Sequence, residues 1–187
     1  NMLFLEEIWS RNFTNLFIAP LKVSEIITGL TATALIRTLI GIVPAVLLAS
    51  PFFGVSLLNL GPALILLLLS LYAFGITLGL LVVSGLLRYG PAFENVAWSS
   101  LFLLAPLGCI YYPLSILPDW LQILAKALPL VYIFEEVRSI LVNNIVDYSN
   151  IMSALVLNFI YFIIAIFVFY RAFDEARKKG TLINVGE

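Results

Sequence analysis

The sequence predicts an all-α polytopic membrane protein, and three observations carry that expectation. Apolar residues make up 62% of the chain, the mean hydropathy is +1.08, and long uncharged apolar runs recur between clusters of proline, glycine and charge. A soluble fold of 187 residues could not hide that much apolar surface. The formal net charge is only −1 and no basic block is concentrated anywhere, which argues against nucleic acid as a partner. The lysines and arginines read instead as markers of topology. The single cysteine, Cys109, excludes an internal disulfide and lies in an apolar run, where a packed thiol is expected. The chain opens on Asn1 with no positively charged leader or small-residue cleavage site behind it, so a truncated chain without a signal peptide is expected.

Within an opening segment over residues 1–25, residues 6–25 form the one long amphipathic passage. Trp9, Phe13, Leu16 and Phe17 recur at i, i+4, i+7 and i+8 and make one apolar helical face, while Glu6, Glu7, Ser10, Arg11 and Thr14 fall mostly on the other. Glu7 and Arg11 stand at i, i+4 in the favourable order. Pro20 breaks this helix, and Lys22, Ser24 and Glu25 make a charged elbow before the apolar run at Ile26. The pattern is that of a helix lying along a membrane surface and then turning into it.

Four spans follow. Residues 26–48 are 23 in number with one charge, Arg37, and end in the breakers Ser50, Pro51 and Gly54. Residues 63–87 carry no charge and are stopped by Arg88, Tyr89, Gly90 and Pro91. Residues 93–112 are a shorter span kinked by Pro106 and closed by Pro113. Residues 151–170 are the last, followed by a charged tail over 171–187. Between the last two, residues 115–147 are interrupted by Asp119, Lys126, Glu135, Glu136 and Arg138, and divided by Pro118 and Pro129. Neither piece can span. Pro118 suits the first position of a helix running to Leu128, about 16 Å long, and a second short helix after Pro129 carries Glu135 and Arg138 at i, i+3. We read them as a re-entrant pair dipping into one leaflet.

Arg11, Lys22, Arg88, Arg171, Arg177, Lys178 and Lys179 fall on one side of this topology, against Lys126 and Arg138 on the other. The positive-inside bias makes the first side cytoplasmic, with the C-terminus there and the short helices outside. The residues share no internal repeat.

This order of elements resembles the permease subunit of ABC-2 type ABC transporters, the bacterial drug, lipid and polysaccharide exporter class. Three passages carry the likeness over nearly the whole chain: Glu7, Arg11, Phe13, Leu16, Pro20 and Glu25 at the start; PLSILPDWLQILAKALPLVY, with Pro113, Leu117, Pro118, Trp120, Leu121, Ala125 and Pro129; and FEEVRSIL, with Glu136 and Arg138. The second is the more specific. The resemblance implies a plan of six spans with a span ahead of the amphipathic region, a cytoplasmic coupling region, and two short outer helices before the last span.

The chain holds no G-x-x-x-x-G-K-[ST], and its Lys179, Gly180, Thr181 run is in the wrong order, so it has no nucleotide site of its own and is not expected to be an enzyme. The resemblance implies that ATP and Mg are bound by a separate ATPase subunit, and that two permeases, identical or different, pair with two ATPases in the plasma (inner) membrane. Closure of the ATPases would be felt by Glu6, Glu7, Arg11 and residues 12–21, including Asn12, Phe13, Leu16 and Pro20, with Lys22 and Glu25 at the elbow. Residues 88–94 are a second candidate. The alternative is a plain interfacial anchor.

Arg37 lies about 16 Å past Ile26, where a charge costs at least about 2.5 kcal/mol. Thr33, Arg37, Gly41 and Pro44 share a helical face, which suggests a polar stripe toward a dimer seam or the translocation path; a structural hydrogen-bonding role is the other reading. Gly75 and Gly79 form a G-x-x-x-G, a helix-packing face within the subunit or at a homodimer seam. Trp120, Glu135, Glu136 and Arg138 are candidates for an outer gate, against a local ion pair that anchors the helix. Trp98 and Trp120 suit the interfacial belts, and the Asn12 sequon falls on the cytoplasmic side.

An intramembrane enzyme would need a histidine, a nucleophile elbow or clustered metal ligands, and a secondary carrier would need ionisable groups through several spans. A membrane-embedded assembly or scaffolding subunit without transport activity remains as the alternative. The expected cargo is hydrophobic or amphipathic, of the drug, lipid or glycan class.

Overall fold

A computed structural model describes residues 23–53, 61–143 and 145–179. Among them there are six α-helices and no strand: α1, Val23–Phe53; α2, Pro62–Tyr89; α3, Glu94–Leu107; α4, Asp119–Ala125; α5, Pro129–Asn143; and α6, Tyr148–Lys179. Short 3-10 turns at Pro91–Phe93 and Leu114–Ile116 lie on either side of α3. Three stretches, Thr31–Ala49, Pro62–Tyr89 and Tyr148–Lys178, are long and apolar enough to cross a membrane. The chain is a multi-pass α-helical membrane protein.

The described residues form two compact units. One contains residues 23–40, 75–98 and 163–179. Its core is Leu80, Val83, Leu86, Leu87 and Ala97 packed with Ala165, Phe169, Ala172, Phe173 and Ala176. Gly90 takes a positive φ of 74° and its N–H donates to the Leu86 carbonyl at 2.8 Å, a glycine stop that ends α2. The chain then turns so that the Phe93 ring lies on Gly85, where a Cβ would overlap it. Arg88 pairs with Glu175 at 3.6 Å on the exposed surface of this unit.

The second unit contains residues 41–53, 61–74, 99–143 and 145–162. Ala63 and Leu67 of α2 meet Ile133 and Ile140 of α5 and Ile151 and Ala154 of α6, while Cys109, Ala125 and Val131 form a smaller core. Within this unit the buried positions on α2 step 63, 67, 70, 74, alternating four and three residues, the seam of a closely packed helix pair. Its polar member Ser70 faces Asn158 of α6, whose Nδ2 donates to the Ser70 carbonyl at 2.9 Å and to its Oγ at 2.7 Å. Both residues are buried. Asn158→Leu is expected to weaken the α2–α6 pairing by about 1 kcal/mol, read as a lower thermal midpoint in detergent; an unchanged midpoint would show that the pair is dispensable.

The helix bounds differ from expectation in several places, and the short helix expected to reach Leu128 ends at Ala125. α1 continues through Pro44 and Pro51 to Phe53 rather than stopping near residue 48. α6 runs on from the last span to Lys179, so residues 171–179 are helix rather than a separate tail. The buried Ala172, Phe173 and Ala176 carry its apolar stripe past the first charges. The span expected over 93–112 is a helix of only 14 residues, about 21 Å, shorter than a hydrocarbon core of roughly 30 Å. Pro106 lies in its last turn, and Cys109 then takes a φ of 54°, a left-handed conformation that reverses the chain.

The two short helices follow their prolines. Pro118 stands at the N-cap of α4, one position earlier than expected, and α4 ends at Ala125 in a tight turn before Pro129 opens α5.

Candidate functional site

Three of the outer-gate candidates come together on α5. The first, Glu135, accepts hydrogen bonds from the Leu114 backbone N–H at 2.8 Å and from Arg138 Nη1 at 2.7 Å. Arg138 Nη2 donates to the Cys109 carbonyl and to the Ile110 carbonyl, the latter at 3.2 Å. One guanidinium therefore joins a carboxylate on its own helix to the carbonyls exposed where α3 breaks. The side chains of Arg138 and Glu135 are 28% and 32% exposed, enough shielding for a charge-assisted pair to exceed the worth of a solvent-exposed one.

Glu136, fully buried, points away from that pair. Its Oε1 accepts from the Asp147 backbone N–H at 2.8 Å and its Oε2 from Asn150 Nδ2 at 3.2 Å. Asp147 immediately precedes α6, and its own Oδ1 accepts the Ser149 N–H at 2.9 Å, an N-cap hydrogen bond. A helix often completes such a cap with a glutamate from its own first turn; here the glutamate comes from α5.

A single helix thus supplies polar partners to three breaks in the chain: the end of α3, the turn at Leu114 and the start of α6. Unpaired backbone groups at those points would cost several kcal/mol each in hydrocarbon and about 1–3 kcal/mol in a protein interior. Tyr112 Oη donating to the Pro106 carbonyl at 2.8 Å and Gln122 Nε2 donating to the Leu117 carbonyl at 2.8 Å extend the same solution. Gly108 lets α5 come close, since a Cβ there would lie 2.9 Å from both the Leu104 carbonyl oxygen and Leu130 Cδ1.

The other sequence candidates lie elsewhere. Trp120 is on α4 with 65% of its surface exposed and takes no part in the α5 hydrogen bonds described. Thr33 Oγ1 donates to the Gly29 carbonyl at 2.9 Å within α1, and Arg37 is exposed on the same helix. Glu25 stands in the first turn of α1, exposed, its carbonyl accepting from Thr28 Oγ1 at 3.0 Å. Gly75 is exposed, with nothing among the described residues within 4 Å of a Cβ added there, and Gly79 is half-buried. In the second coupling candidate, Trp98 Nε1 donates to Glu94 Oε1 at 3.4 Å. The remaining coupling candidates, Glu6, Glu7, Arg11, Asn12, Phe13, Leu16, Pro20 and Lys22, lie outside the described residues. Sequence reasoning missed Asp147, Asn150, Ser70 and Asn158. The last two had a legible signal, polar residues inside uncharged apolar runs.

Long apolar helices, joined by a broken segment whose backbone ends are held by charged side chains, mark a membrane-embedded protein. The family model described as ABC-2 type transporter matches residues 1–142, and the chain belongs to that family. It is a permease component of an ABC transporter. No curated protein and no solved structure matches it.

Proposed function

We propose that this chain forms one half of the membrane pathway of an ATP-driven exporter in the plasma (inner) membrane, moving a hydrophobic or amphipathic substrate of the drug, lipid or glycan class. The observation that carries the reading is family membership: in a permease of this family the work is taken to come from a partner ATPase carrying ATP and Mg. Two permease copies, identical or different, would complete the path. No residue of Thr31–Ala49 on α1 is buried by the described chain, which supports a covering partner for the stripe of Thr33 and Arg37. The open space at Gly75 favours a neighbour outside the subunit for the Gly75 and Gly79 face.

Four crossings fit the contacts. Ala63 and Leu67 near the start of α2 share a cluster with Ile151 and Ala154 near the start of α6, and Ser70 further along α2 meets Asn158 further along α6. The two helices run parallel, so the chain between them must return across the membrane. We assign that return to α3 and the irregular residues 108–113, with α4 and α5 as the outer re-entrant pair and the C-terminus cytoplasmic. Glu135, Arg138 and the exposed Trp120 then border the exit, with Glu136 buried behind them against the start of α6.

The amphipathic segment with Glu6, Glu7, Arg11, Asn12, Phe13, Leu16, Pro20, Lys22 and Glu25 is the surface proposed to receive the ATPase. Co-expression of the full-length product with the ATPase should yield a stoichiometric complex, and the charge reversals Glu7→Lys and Arg11→Glu should break it or uncouple ATP hydrolysis from transport. Failure of any ATPase to associate would instead favour a scaffolding subunit without its own transport activity.

A further inference from the structure

Charged side chains at a membrane exit suggest contact with cargo, yet the three on α5 already hold backbone groups of other segments. Glu135 holds the Leu114 N–H, Arg138 the Cys109 and Ile110 carbonyls, and Glu136 the Asp147 N–H together with the Asn150 amide. Together these bonds join α5 to three other pieces of chain. Breaking any of them would leave a buried or partly buried polar group without its partner, most expensively at the fully buried Glu136. Opening the exit by sliding α5 past its neighbours is therefore costly, whereas moving all of these pieces together leaves every bond intact.

We propose that α4, α5, the residues around the α3 break and the first turn of α6 travel as one body when the transporter changes access, with Glu136 the positioning residue that fastens this body to α6. Glu136 acts by capping a helix supplied from elsewhere in the chain, and it does not touch cargo. The body follows α6 because the Asp147 N–H and the Asn150 side chain are held by the same carboxylate. The inference rests on the transporter reading above, but it concerns how the outer elements move rather than whether ATP drives them.

The test is amide hydrogen exchange on the full-length permease–ATPase complex in lipid vesicles, nucleotide-free and vanadate-trapped, with transport and ATP hydrolysis measured in parallel. The amides of Leu114 and Asp147 should stay equally protected in both states. Glu136→Leu should speed exchange over residues 147–150 about tenfold and lower transport per ATP hydrolysed, with basal hydrolysis retained. Glu136→Gln keeps an acceptor for the Asp147 N–H, and Asn150 can rotate its amide to suit, so this variant should restore protection and coupling. Loss of protection at either amide in one trapped state of the unaltered protein would overturn the single-body motion. So would normal coupling in Glu136→Leu, or a Glu136→Gln variant as defective as Glu136→Leu. An unaltered complex that hydrolyses ATP without transport would overturn the transporter reading itself, and the inference with it.

Discussion

Replacing Arg138 by methionine is expected to lower the thermal midpoint of the purified permease by roughly 5–12 °C, equivalent to about 2–4 kcal/mol. Methionine approximates the arginine stem and removes only the fork. The Cys109 and Ile110 carbonyls lose their donor, and Glu135 is left with the Leu114 N–H while its charge loses the cation at 2.7 Å. Because the pair is about 30% exposed, the loss should fall short of the 3–5 kcal/mol seen when a fully buried pair is broken. Adding Glu135→Gln to Arg138→Met should recover part of the loss, since the uncompensated charge disappears while an acceptor for Leu114 remains. A single variant that melts with the unaltered protein would reduce Arg138 to a surface ion pair. Arg138→Lys should be intermediate, because an ammonium cannot present the planar fork that reaches Glu135 and two carbonyls together.

The second large effect belongs to Gly85→Val. Gly85 is buried on α2, and even a single added carbon would overlap the Phe93 ring. The ring cannot simply swing away, because Phe93 closes the 3-10 turn through its N–H to the Gly90 carbonyl at 3.1 Å and stacks on Tyr89 at 5.8 Å between centroids. Valine should cost about 1–3 kcal/mol by forced repacking, with a further small penalty from its stiff side chain in a helix. The checking measurement is a thermal melt of Gly85→Val beside Gly85→Val/Phe93→Ala. If overlap is the cause, the second change restores much of the midpoint; if the double variant melts lower still, Phe93 contributes packing that outweighs the clash.

Much of the fold was legible because hydrocarbon imposes so simple a rule. The uncharged run over 63–87 corresponds to α2 within two residues at each end, and Pro129 opens α5 as its ring geometry suggests. The continuation of α6 was obscured by the charges from Arg171 onward, which mark the end of an apolar span without ending a helix. The length of α3 was hidden for the opposite reason: residues 93–112 are apolar throughout their second half, and only the left-handed Cys109 reveals where the helix stops.

The outer cluster was half legible. Glu135 and Arg138 announce themselves as an i, i+3 pair, and the structure has that pair. Their other partners are the amide of Leu114 and the carbonyls of Cys109 and Ile110, and every residue of a chain owns such groups, so no pattern of side chains points to them. In the sequence Glu135 and Glu136 read alike, both as candidates for an outer gate. Adjacent positions on a helix are about 100° apart, and this difference sends one carboxylate to the α3 break and the other to α6.

The hydrogen bonds around α5 also carry an order of assembly. Those made by Glu136 close loops of 11 and 14 residues, and those made by Glu135 and Arg138 with other segments close 21 to 29, whereas the Asn158 to Ser70 bond joins positions 88 apart. Short closures cost less entropy and form sooner. During synthesis, the Arg138 and Glu135 contacts have all their atoms once α5 has emerged, and Glu136 waits only for the next dozen residues. The parallel seating of α6 on α2 comes last, when a nascent outer block already exists to receive it. A defect at Arg138 would then be felt as poor yield of inserted protein before it was felt as poor transport.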